Sequence, residues 1–172
     1  MSNLRLINET SFSSVASATI TDIFSADFDV YKITVTDYDA GGGSSNLSYR
    51  FVNSSGSVIA TDYDYASAII RSYGADGESK STSGTYIDAI SYDDTLQKGN
   101  GSVAYVFNPF SSTSYTFSLW QNSSPSTVGT VGRKGIGVLH QLNSITGINF
   151  LRDGSATFSL NSVKVYGLRV DS

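Results

Sequence analysis

One histidine, two glutamates and a larger set of aspartates are the groups in this 172-residue chain that could move a proton or hold a cation near neutral pH. His140 sits in Ile136-Gly-Val138-Leu-His140-Gln-Leu142, on the alternating face shared with Ile136, Val138 and Leu142. A nucleophilic triad needs such a histidine beside an activated serine and an orienting acid, yet no Gly-x-Ser-x-Gly elbow is present to expose the nucleophile. His140 therefore reads as a structural or interfacial residue. The pairs Asp27/Asp29, Asp37/Asp39, Asp62/Asp64 and Asp93/Asp94 offer the hard oxygens that Ca²⁺ takes, but none follows EF-hand spacing, and Asp beside Gly, Ser or Tyr more often forms turns. A glycosidase pair is disfavoured because the only glutamates are Glu9 and Glu78. Gly129-Thr-Val-Gly132-Arg-Lys-Gly135-Ile-Gly137 invites a phosphate-loop reading, which fails because no Ser or Thr follows Lys134. Its glycines fit bends or a close approach within a strand. The expectation is no catalytic residue, no metal ligand and no cofactor.

Contact chemistry is better represented. The chain holds 11 Tyr, 9 Phe and 1 Trp, and tyrosine gives contact area at low entropic cost. Trp120 falls on the strand face opposite Tyr115, Phe117 and Leu119, so it either packs into a second layer or stands exposed as a stacking platform. Tyr63, Tyr65 and Tyr92 fall in expected loops. These four are the ligand or interface candidates.

The elements that must carry such residues follow from composition and period. Hydrophobic residues at 40% against 15% charged are too apolar for disorder, and 31 Ser beside 16 Gly, with few Glu and Lys, disfavour helices. The length suits one domain spanning 1–172. A formal charge of −4 argues against nucleic-acid partners. The opening Met1–Thr10 lacks the apolar run of a secretory signal, and no stretch approaches a membrane span, so synthesis and folding in a cytoplasm, without a membrane partner, are expected.

Period-two alternation dominates. Tyr31, Ile33 and Val35 alternate with Lys32, Thr34 and Thr36, and the pattern returns around Leu47–Phe51, Val103–Phe107 and Tyr115–Leu119. Each reads as a half-buried strand whose apolar set is covered by a facing sheet. Ile148 and Phe150, then Asp153-Gly154, then Phe158 and Leu160 read as a two-residue hairpin, and Val163–Leu168 as a last strand. Turns are expected at Gly41–Ser45, Asn53–Gly56, Gly99–Gly101, Asn108-Pro109 and Asn122–Pro125. Residues 62–73 fit a short helix capped by Asp64 or a strand. Residues 74–84 read as an exposed mobile loop. With no βαβ rhythm, the fold expected is all-β, an antiparallel β-sandwich that is jelly-roll-like.

Two segments go beyond generic β-pattern: Thr21-Asp-Ile-Phe-Ser-Ala-Asp-Phe-Asp-Val-Tyr-Lys-Ile33, preceded by Leu4–Ile7, and Ser162-Val-Lys-Val-Tyr-Gly-Leu-Arg169. They resemble the first and last strands of small β-sandwich domains in virion structural proteins of tailed bacteriophages, especially marine and cyanobacterial phages. The resemblance implies a non-enzymatic virion protein. Because the pattern begins close to Met1, without a shaft, the form expected is a capsid decoration, cement or knob protein on the head surface, localised to the virion after assembly in the host cytoplasm. The partners implied are the major capsid protein or another virion protein, further copies of the chain as a trimer or lattice array, and a host-surface glycan. Two alternatives stay open: a receptor- or glycan-binding fibre tip, and a lectin-like carbohydrate-binding module.

Overall fold

The computed structural model describes residues 3–94, 99–154 and 156–168, and among these there is no helix. Twelve strands follow in order: β1 Leu4–Val15, β2 Ser17–Ile20, β3 Val30–Asp39, β4 Ser45–Asn53, β5 Tyr63–Arg71 and β6 Gly77–Gly84. Then come β7 Ile87–Asp93, β8 Gly101–Phe107, β9 Thr116–Ser126, β10 Gly129–Leu139, β11 Ile145–Arg152 and β12 Phe158–Leu168. They form an eight-stranded sheet, β1-β12-β3-β8-β9-β10-β5-β6, and a four-stranded sheet, β2-β11-β4-β7, with every pairing antiparallel.

The pairings have a nested logic. β1 pairs with β12, β2 with β11, β3 with β8 and β4 with β7. That is one long antiparallel ribbon rolled into two sheets, the wrapping of a jelly roll. Two hairpins are inserted into the ribbon: β5–β6 between β4 and β7, and β9–β10 between β8 and β11. The insertions pair with each other through β10 and β5, and β9 docks on β8, so together they widen one sheet from four strands to eight. At one margin of the widened sheet, β1 meets β12 through three breaks in register.

The layers enclose an aromatic core in which Tyr31, Tyr38, Tyr49, Tyr63, Phe51, Phe150 and Phe158 are fully buried. A buried phenol must find a partner, and each of these does. Tyr31 Oη donates to the Ser25 carbonyl (2.9 Å), and Tyr38 Oη donates to the Asn46 carbonyl (3.2 Å). Tyr49 Oη reaches across the sandwich to Ser118 Oγ (2.6 Å). Burial, the main cause, pushes the Tyr38, Tyr49 and Tyr63 hydroxyls far above the ordinary phenol range, so they stay neutral donors.

Several sequence expectations change here. Of the two readings of residues 62–73 the strand is the one formed, as β5, whereas most of the expected loop 74–84 is the edge strand β6. Its alternating half-buried and exposed positions carry almost no apolar side chain, which hid the period. Asn122–Pro125 is not a turn: β9 runs straight through it, and the chain reverses between Ser126 and Gly129. Residues 153–154 do turn, with Gly154 at φ +88°, but no hairpin forms. β11 joins the small sheet and β12 the large one, so this connection steps between layers.

Candidate interaction surface

The inserted strands expose an apolar surface because their inward parity is fixed by sterics. Trp120, on β9, points into the sandwich and is 2% exposed. Opposite it in register stands Gly135 of β10. A Cβ at Gly135 would lie 2.2 Å from Trp120 Cζ2, and a Cβ at Gly137 would lie 2.8 Å from Ile87 Cδ1. Only glycine fits under the indole at position 135, and a Cβ at 137 would press on Ile87, so Ile136 and Val138 face outward. A one-residue slip would drive branched side chains into Trp120. The glycine run that resembled a phosphate loop is thus a packing device.

Register carries that parity across the sheet. Phe117 and Leu119 stand beside Val138 and Ile136, and their other neighbours are Phe107 and Tyr105 of β8. All of these point away from the core. Phe117 is 48% exposed, Leu119 46% and Ile136 58%. The alternation expected for Tyr115–Leu119 is present, but its apolar set faces outward and its hydroxyl set faces the interior. The physical reason lies in β7, which packs across the inner side of β9. Ala89 of β7 takes φ +61°, and the strand there presents carbonyls toward β9. Asn122 Nδ2 donates to the Ala89 and Ile90 carbonyls (2.9 and 3.2 Å), its Oδ1 accepts the Arg133 N–H (3.1 Å), and Ser124 Oγ donates to the Tyr92 carbonyl. Polar side chains are required inside at that point, and the apolar ones are left outside.

The outward face can be read as three rows across the strands. The first, Leu4, Leu168, Val30, Phe107, Phe117 and Val138, is wholly apolar and ends at Asp64. The second runs Leu6, Tyr166, Lys32, Tyr105, Leu119, Ile136, Ala66 and Lys80. The third, from Glu9 and Lys164 through Thr34, Val103, Gln121, Lys134 and Ala68 to Glu78, is largely polar. A shallow trough of about 900 Å³ follows the first two rows over Phe117, Leu119, Ile136 and Val138, and a second of about 670 Å³ continues it past Tyr105 and Lys134.

The four candidates from the sequence do not line this face with their rings. Trp120 is buried within the sandwich. Tyr63 lies in β5, fully buried, its hydroxyl donating to the Ile59 carbonyl (3.0 Å) and accepting the Phe51 N–H (2.8 Å). Tyr65, on the same strand, is partly buried and packs against the core. Tyr92 lies in β7 beneath the Arg133 guanidinium, 5.7 Å from the ring centroid. The loops expected to expose three of them are strands. The alternation expected for Val103–Phe107 and Tyr115–Leu119 is present, with Tyr105, Phe107, Phe117 and Leu119 on the outer side of the sheet.

Two polar sites complete the description. Inside, Asp88 accepts from Ser48 Oγ (3.0 Å) and stands 4.0 Å from Arg133 Nη1. Burial above all raises its carboxyl pKa, opposed by the Ser48 hydrogen bond and by Arg133. At one end of the sandwich, Tyr115 stacks near His140 (centroids 5.1 Å apart), and His140 Nε2 lies 3.6 Å from Asp64 Oδ2. Gln141 Nε2 donates to Asp62 Oδ2 (2.6 Å) and Asn143 Nδ2 to Gln141 Oε1 (2.7 Å). Other paired aspartates serve as turn anchors: Asp93 Oδ2 accepts the Ala40 N–H (2.9 Å) and Asp39 Oδ1 the Gly41 N–H (2.7 Å). Among the described residues no three His, Asp or Glu side chains converge as a metal site.

Fold and surface together define an all-β jelly roll widened by two hairpins, with an uncovered apolar face on the added strands. No family model and no curated protein matches the chain. Among solved structures, it is similar to fructofuranosidase from Schwanniomyces occidentalis complexed with fructose, at 11% identity and TM-score 0.44, covering 98% of this chain and 35% of that one. Weaker likenesses are to the VP2 subviral particle of infectious bursal disease virus (11% identity, TM-score 0.16, 98% and 41% covered) and to the Gx strain of that virus (10%, 0.19, 98% and 39%). The chain spans well under half the length of each of these structures.

Proposed function

We propose that this protein is a non-enzymatic structural protein of a tailed-phage virion, a decoration, cement or knob protein arrayed on the head surface and acting by contact alone. The observation that carries the reading is the outward face of the eight-stranded sheet, where Phe117, Leu119 and Ile136 stand roughly half exposed in one continuous patch. Apolar surface of that extent on a soluble domain marks a site that another protein covers. Many identical copies on a lattice supply avidity from modest individual contacts. The likeness of Thr21–Ile33 and Ser162–Arg169 to phage virion sandwiches supplies the setting. The test is location: purified protein should co-sediment with genome-filled, tail-less heads of the encoding phage, and its density should lie on the head of the intact virion. Density confined to the tail would refute the decoration role.

A second reading has its own observation. The Tyr115–His140 stack, with Asp62, Asp64, Gln141 and Asn143 around it, gathers an exposed ring and hydrogen-bonding groups at one end of the sandwich. A glycan-binding tip would use such a crown. On that reading Tyr115→Ala abolishes binding to host-envelope glycans and leaves head binding untouched.

A further inference from the structure

We infer that Thr61 and Gln141 join in an ester cross-link that the chain forms on itself with loss of ammonia, tying the approach to β5 to the exit from β10. The inference stands apart from the virion reading, because it needs no partner.

Register brings the two residues together. β5 and β10 pair antiparallel, and the ladder ends with Tyr63 opposite Leu139. Carried two residues further, the same register sets Asp62 opposite His140 and Thr61 opposite Gln141. The His140 N–H donates to the Asp62 carbonyl (2.9 Å), so the two segments stay in step beyond the ladder. Asp62 takes φ +66°, a conformation uncommon for a residue with a side chain and one that clusters at functional sites.

A hydroxyl that displaces ammonia from a primary amide needs a base, a polarised carbonyl and a proton for the leaving nitrogen. Thr61 Oγ1 lies 3.5 Å from Gln141 Nε2, which is one bond from the carboxamide carbon. Thr61 Oγ1 donates to Asp62 Oδ2 (2.9 Å), and Gln141 Nε2 donates to the same oxygen (2.6 Å). A single carboxylate oxygen can thus take the hydroxyl proton and pass it to the departing nitrogen. Asn143 Nδ2 donates to Gln141 Oε1 (2.7 Å), where negative charge develops as the carbon becomes tetrahedral. The carboxylate accepts only, so the amide must present its nitrogen to Asp62 and its oxygen to Asn143. Rotation about the last Gln141 torsion then turns the face of the carbonyl toward Thr61.

The step balances within the chain. The Thr61 Oγ1–H and Gln141 Cδ–Nε2 bonds break, the Oγ1–Cδ bond forms, and the proton moves through Asp62 Oδ2 to Nε2, which leaves as ammonia. The hydrogen bonds from Gln141 and Thr61 hold the Asp62 carboxyl below the usual carboxylate range, so it is ionised but a weak base. Each molecule therefore matures once and slowly, and no external substrate is turned over. The product joins side chains 80 residues apart in sequence. It fastens β5 to β10, the strands through which the two inserted hairpins hold each other in the widened sheet.

Intact-mass spectrometry of aged, purified protein should read about 17 Da below the mass of the sequence, the loss of one ammonia. After trypsin, Phe51–Arg71 and Gly135–Arg152 should emerge as one linked species that mild alkali separates. Thr61→Ala should keep the full mass and melt about 10 °C lower, because the long closed loop is gone. Thr61→Ser should retain the link. Asp62→Asn should slow its formation about a hundredfold with an unchanged circular-dichroism spectrum, the position being exposed. Full mass after prolonged incubation overturns the inference. So does a loss of ammonia that persists in Thr61→Ala, as a succinimide at Asn100-Gly101 would give, or conversion of Gln141 to the free acid, in which water and not Thr61 takes the carbonyl.

Discussion

Gly135→Ala tests the steric lock that turns the apolar face outward. The added methyl would stand 2.2, 2.4 and 2.8 Å from Cζ2, Cε2 and Cη2 of Trp120, where ordinary contact begins near 3.4 Å. The ring would have to retreat by about 1.2 Å inside a close-packed interior. Trp120 is 2% exposed, so it has no open side to retreat into. Overpacking of this kind costs about 1–3 kcal/mol, and the size of the clash places it near the upper end, a fall of roughly 6–12 °C in melting temperature. In a Trp120→Leu background the clashing atoms are gone, and the same change should be neutral or stabilise by up to about 1 kcal/mol, because alanine loses less backbone entropy than glycine in a strand. The assay is urea unfolding of the four proteins followed by far-ultraviolet circular dichroism. A reversal of sign between backgrounds, with coupling of about 3 kcal/mol, is the expected result. If the two substitutions add within about 0.5 kcal/mol, the indole does not fix the parity of β10 and the account of the exposed face is wrong.

Tyr63→Phe removes a hydroxyl that serves the Ile59 carbonyl and the Phe51 N–H, leaving a buried donor unpaired. A loss of about 1–3 kcal/mol in urea titration is expected, and an unchanged midpoint would count against the bond. Asn122→Leu keeps much of the volume but strips partners from the Ala89 and Ile90 carbonyls and the Arg133 N–H. It should cost about 2–4 kcal/mol, measured the same way. Asp88 binds its proton more readily in the folded protein than in the unfolded chain, because burial raises its pKa above the ordinary 3.8. Its contribution favours folding at acid pH and is lost as pH rises through the higher folded value. The stability of the wild type relative to Asp88→Asn should therefore fall as pH increases across that window; a rise would reverse the assignment.

Strand identity was largely legible where side chains of contrasting polarity alternate. Tyr31, Ile33 and Val35 predict β3, and the Gly41–Ser45, Asn53–Gly56 and Gly99–Gly101 signals fall at strand ends, each overlapping a strand by one residue, Ser45, Asn53 and Gly101. The sandwich follows from those runs. What the sequence could not reveal is which side of a strand is inside when the interior is hydrogen-bonded. Hydropathy assigns Phe117 and Leu119 to the core, and the carbonyls of β7 overrule it. Those carbonyls are distant in sequence, and the turn of Ala89 that presents them has no signature. β6 was missed because a polar margin strand shows no apolar period. The hairpin expected at Asp153-Gly154 failed for a different reason: turn chemistry fixes the bend, whereas the pairing of β11 and β12 with other strands decides which sheet each enters. The exposed apolar face is carried by Phe117, Leu119 and Ile136, while Trp120 and Tyr63 are buried; the feature of the sequence that bears on this is Gly135, which stands opposite the single tryptophan.

The broken pairing of β1 with β12 bears on how the molecule avoids uncontrolled growth. An open β-strand at a sheet margin is a template for amyloid-like extension. Three interruptions along twelve residues leave an incoming strand no straight ladder to copy. The opposite margin, β6, carries the charged pair Glu78 and Lys80 within a short polar segment that discourages the same addition. Both margins of the eight-stranded sheet therefore resist edgewise addition of a further strand, which keeps that sheet from extending through its own backbone.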